Sequence, residues 1–127
     1  MARPGDKLDL NGAMLAAFPE IADGFVAFIG TGPDDVSGAH NTYGLLLSPW
    51  LVEMLRAGRL ELLGRVAALV ETLLETNDDY AEEVVQLSLL EALHDHPSIW
   101  VPLLQHLGPR GLALARVVEH WFGPAEE

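Results

Sequence analysis

Apolar residues recur at three- and four-residue spacing along most of the chain, which is the pattern of amphipathic helices. The clearest stripe lies in 59–76, where Leu63, Val66, Val70, Leu73 and Leu74 fall on one side and Glu61, Arg65, Glu71, Thr72 and Glu75 elsewhere. Upstream, 11–18 predicts a short helix capped by Asn11 or Asp9, and Pro19 suits the first turn of a second that ends at Gly30. Within that second segment, 25–29 (FVAFI) also reads as a strand. Residues 30–42 are dense in Gly, Pro, Asp and Asn and predict the longest loop. Ser48 followed by Pro49 predicts an N-cap and a helix over 49–57 that stops near Gly58. Asn77, Asp78 and Asp79 end one helix and cap the next, 79–94, whose polar strip is only Gln86, Ser88 and Glu91. A helix apolar nearly all round belongs at the centre of a fold. Two further helices follow, over 97–107 and 110–122. In the last, Leu114, Val117, Val118 and Trp121 are expected inward and Arg116, Glu119 and His120 outward.

These elements predict an all-α fold, a compact bundle of about six or seven helices with some helical-hairpin (HEAT-like) character. The hairpin idea rests on a faint echo: Ser48, Trp50 and Gly58 recur as Ser98, Trp100 and Gly108. The length suits one domain over 1–127, with 1–8 expected to be flexible and 123–127 a tail.

Composition narrows the function. Half of the residues are apolar, enough for a core, and there is no cysteine, which removes disulfides, thiolate metal sites and cysteine nucleophiles. The start carries no apolar run of signal-peptide length, and the apolar stretch 14–29 is too broken to span a bilayer, so the expected location is cytoplasmic. Nineteen acids against seven bases leave a formal charge of −12, the wrong sign for a phosphate backbone or an anionic membrane. The excess is uneven, because no Lys or Arg lies between Arg65 and Arg110.

Catalytic and cofactor motifs fail one by one. Gly30, Thr31 and Gly32 lack the GK[ST] of a phosphate loop, and Asp34 and Asp35 would repel phosphate. Glu91 and His94 form a single Glu-x-x-His, where di-iron bundles need two, and His96 completes a small cluster that could hold zinc only if the fold converged it. Histidines at a helix end more often cap carbonyls. Ser88 lacks a nucleophile elbow, and neighbours His94 and Asp95 on the same helix point in other directions. No enzyme activity and no cofactor is expected. The remaining candidate is the acidic block: Glu71, Glu75, Asp78, Asp79, Glu82 and Glu83 straddle one helix–helix corner, with Tyr80 as an aromatic anchor. The bland account of the same residues is a solvated face that keeps the protein soluble.

Four stretches, MLAAFPEI, RLELLGRVAALVETLLE, EEVVQLSLLEAL and the GPRG turn, resemble a family of small acidic helical bacterial proteins over about residues 13–122. Some members of that family lie beside polymorphic toxins, in the position of immunity proteins. The resemblance implies a shared fold, and it brings no catalytic residues with it. The expected function is a protein-binding module, an immunity protein that meets a toxin domain with a basic surface. The alternatives are a metal- or ligand-binding bundle using Glu91, His94 and His96, and a generic helical adaptor.

Overall fold

A computed structural model of the chain describes residues 9–31 and 38–123. Among them are seven helices and no strand. Helix α1 is Leu10–Ala17, capped by Asp9, whose carboxylate accepts from the Gly12 N–H at 2.8 Å. A single 3₁₀ turn, Pro19–Ile21, leads into α2, Ala22–Thr31, so 25–29 is helix and not strand. Helix α3 runs unbroken through 39–56, α4 is Leu62–Leu74, and α5 runs through 79–94. Helices α6 and α7 are Pro97–Leu104 and Pro109–Phe122. The expectations for 1–8 and for most of the tail fall outside the described residues. No described helix is long and apolar enough to cross a membrane.

Helix α4 supplies the hub. Its buried Leu62, Leu63, Val66, Ala67, Leu69, Val70 and Leu73 meet α1, α3, α6 and α7. The stripe predicted over 59–76 is therefore the real core face, although the helix starts three residues later. Gly58 ends α3 with a φ of 100°, a left-handed conformation that suits glycine. Asn77 performs the same turn after α4 at φ 56°, and Asp78 then caps α5 by accepting from the Ala81 N–H at 2.8 Å.

Two predictions are corrected. Ser48 is not an N-cap. It lies inside α3, fully buried, and its hydroxyl donates to the Ser88 carbonyl at 2.7 Å. The loop expected over 30–42 is accordingly shorter, since α3 already begins at Ala39. Pro49 cannot donate to the carbonyl four residues back, and in a regular helix its ring would crowd that oxygen. Just upstream, Thr42–Leu47 winds as a wider π turn, with the Ser48 N–H bonded five residues back to Tyr43. That widening carries the helix through the proline. Helix α5 has its own π turn at Val85–Leu90, where the Glu91 N–H reaches the Gln86 carbonyl. The two π turns pack against each other.

Side-chain orientation departs from the pattern at several positions. Leu87 is 45% exposed and Ser88 is buried, the reverse of the expected polar strip on α5. Val117 and Trp121 point outward from α7, while Glu119 turns in to accept from the buried Trp100 indole at 3.0 Å. The internal echo has no structural counterpart, because Ser48 sits mid-helix and Ser98 in the first turn of one.

Candidate partner-binding surface

Of the acidic block, Asp78, Asp79 and Glu82 share a cleft at the corner between α4 and α5, and the other members take different places. Glu71 leaves the open surface. Its carboxylate accepts from the Gly111 N–H at 3.0 Å and the Arg110 N–H at 3.2 Å, which caps α7 from a neighbouring helix. Gly108 makes room for it; a Cβ there would come within 2.6 Å of the Glu71 carboxylate, whereas one at Gly111 would press on Val70 at 3.0 Å. Asp78 is engaged as the α5 cap. Asp78, Asp79 and Glu82 line one side of a cleft of about 500 Å³, with Arg110 and Val117 of α7 on the other.

Glu75, Asp79 and Glu82 are exposed, and no described cation lies within ion-pair distance of them. The reason is where the arginines go. Arg59 pairs with Glu61 and Glu20, Arg65 with Glu20, Arg110 with Glu71 and Arg116 with Glu119. Arg65 shows how fully such a side chain is used. It forks onto Glu20 at 2.7 and 2.8 Å, donates to the Ala17 carbonyl at the end of α1, and lies over the Phe18 ring. Those hydrogen bonds from Arg65 hold the Glu20 carboxyl down at about 2.

Glu83 and Tyr80 turn toward the other side of α5. The Tyr80 ring stands edge-on to His40 with centroids 5.4 Å apart, and His40 Nε2 is 3.9 Å from Glu83. His40 Nδ1 shares a 2.8 Å hydrogen bond with the Ser88 hydroxyl. Sequence spacing set His94 and Asp95 aside as partners for Ser88, because they point in other directions from the same helix. The fold supplies His40 instead, from 48 residues upstream on α3. A serine next to a histidine has the geometry of an activated nucleophile. Here it is nearly buried between two π turns, where it joins α3 to α5.

The three candidate metal ligands are not brought together. His94 is buried, donates from Nε2 to the Gly123 carbonyl at 2.8 Å, and lies edge-on to Trp100. The carbonyl it caps closes α7 and not its own helix. His96 starts α6, and Glu91 lines a surface cleft. Among the described residues, no group of three or more His, Asp or Glu side chains is placed to hold a metal ion.

Sequence reasoning missed the exposed apolar residues that face the same side as Glu83. Leu45, Leu87 and Phe122 are 64%, 45% and 59% exposed, around a cleft of about 440 Å³ with His40 and Ser88 in its wall. Helical periodicity misplaces Leu45 and Leu87, because each lies within a π turn that shifts the phase of the helix.

No curated protein and no solved structure matches the chain at a significant level. A family model does, and it covers residues 12–121, nearly the span of the resemblance read from the four stretches. The chain belongs to the family described as domain of unknown function DUF7674.

Proposed function

We propose that this chain is a protein-binding module, an immunity protein that neutralises a cytosol-acting bacterial toxin by covering a cationic surface on it. The observation that carries the reading is the layout of charge. Four of the five described arginines stand against Glu20, Glu61, Glu71 and Glu119, and Glu75, Asp79 and Glu82 are left uncompensated on one exposed corner. Carboxylates held together in this way repel one another and weaken the fold slightly. A cationic partner relieves that repulsion and is steered in by it, which raises the association rate and its dependence on salt. Tyr80 stands against His40 on the other side of α5 and is not part of this corner.

The test is co-expression with the basic C-terminal domain of a secreted toxin encoded beside this gene. The wild-type chain should restore growth, and binding should weaken steeply as salt rises. The triple reversal Glu75→Lys, Asp79→Lys, Glu82→Lys should abolish rescue while the protein stays folded. Undiminished rescue by the triple variant would remove the corner from the interface. Failure of the wild-type chain to bind such a domain would remove the immunity reading.

A further inference from the structure

Helices α3 and α5 leave a groove between them that the acidic corner does not explain. Its two halves enclose about 440 and 620 Å³ and share Gly44, Ala92 and Asp95 in their walls, so they form one channel. On α3 the wall residues step by four, from His40 through Gly44, Ser48 and Val52 to Arg56. In a regular helix a four-residue step overshoots one turn, and the row would spiral away from the groove. The π turn takes more residues per circle and pulls the row straight. The same correction on α5 aligns Leu87, Glu91 and Asp95 along the opposite edge. The groove runs about 24 Å at the helical rise of 1.5 Å per residue, the length of about four helical turns.

The chemistry of the walls defines the occupant. Both walls are helices whose backbone groups are bonded internally, so an added strand would find no ladder to join. Every buried side-chain polar atom among the described residues has a partner, so the polar groups left to an occupant are those on the surface of the groove. The groove offers exposed apolar lips, Leu45 and Leu87, and uncompensated carboxylates, Glu53, Glu91 and Asp95, against the single cation Arg56. We propose that the groove receives an amphipathic, lysine- or arginine-bearing helix of a partner protein. The apolar stripe of that helix lies between Leu45 and Leu87, and its cations meet Glu53, Glu91 and Asp95. This rests on the protein-binding reading and adds the mode: the corner steers the partner and the groove holds it.

The experiment titrates the whole chain with a peptide of about 18 residues of leucine and lysine, arranged as an amphipathic helix. Amide NMR follows the site, and a peptide of the same composition in shuffled order is the control. The amphipathic peptide should bind more tightly than the shuffled one by about tenfold or more, with shifts at 44–56 and 87–95. Leu45→Ser with Leu87→Ser, two exposed positions, should weaken it by about tenfold. Gly44→Leu should do the same by filling the floor; a Cβ there makes only ordinary contact with Ser88. Equal binding of both peptides, or shifts confined to 75–82, would overturn the groove and leave the acidic corner standing. If neither peptide binds, the groove proposal falls, and binding of the toxin domain still decides the acidic corner.

Discussion

At the scale of single residues, the structure divides carboxylates that look alike in sequence. Glu71 and Glu75 are one helical turn apart, yet one is an internal cap and the other faces solvent. Glu71→Ala should lower stability by about 1–2 kcal/mol, through two unsatisfied N–H groups at the start of α7. Glu71→Gln keeps an acceptor and should lose less; urea unfolding of the two variants compares them. Glu20 makes a prediction about pH. Its carboxyl is held near 2 by hydrogen bonds from Arg65, below its ordinary 4.5, so the folded state favours the charged form. Its contribution is complete above about pH 5 and disappears as pH falls through about 2. Wild-type protein should therefore lose more stability than Glu20→Gln over that range, and parallel losses would show that the pair contributes nothing.

At the scale of elements, the crossing of α3 and α5 decides the shape of the surface. Ser48 and Ser88 sit at the contact of the two π turns, where one hydroxyl donates to the other's carbonyl. Ser48→Ala removes that hydrogen bond with little change in volume. The expected loss is about 1 kcal/mol in chemical denaturation, together with faster amide exchange at 85–91. Unchanged exchange there would mean that packing alone holds the crossing. The helices themselves were legible in the sequence, because caps such as Asp9 and Asp78 and breaks such as Gly58 and Asn77 act over a few residues. The π turns were not, since they answer a proline and a crossing partner about 40 positions away.

At the scale of the whole molecule, the formal charge of −12 leaves carboxylates without a cation at the corner between α4 and α5 and along the groove between α3 and α5. Glu75 lies at the negative end of α4, next to the acids that open α5, so its charge opposes the helix dipole as well as its neighbours. Glu75→Lys with Glu82→Lys should raise the thermal midpoint and flatten its rise with added salt. A midpoint lower by several degrees would show instead that these carboxylates are structural.

Local chemistry alone determined that the chain is helical, where most helices begin and end, that α4 presents its leucine and valine stripe to a core, and that the acids collect where two helices meet. Hydrogen bonds within a helix and the 3.6-residue repeat are properties of neighbouring residues, so they can be read directly from the chain. Only the tertiary structure decided that Glu71 turns inward, that Leu87 and Trp121 turn outward, that Ser48 lies inside a helix, and that His40 meets Ser88. Each of those depends on which distant segment arrives at the same place, and the free energy of that meeting is not written in any one stretch of sequence.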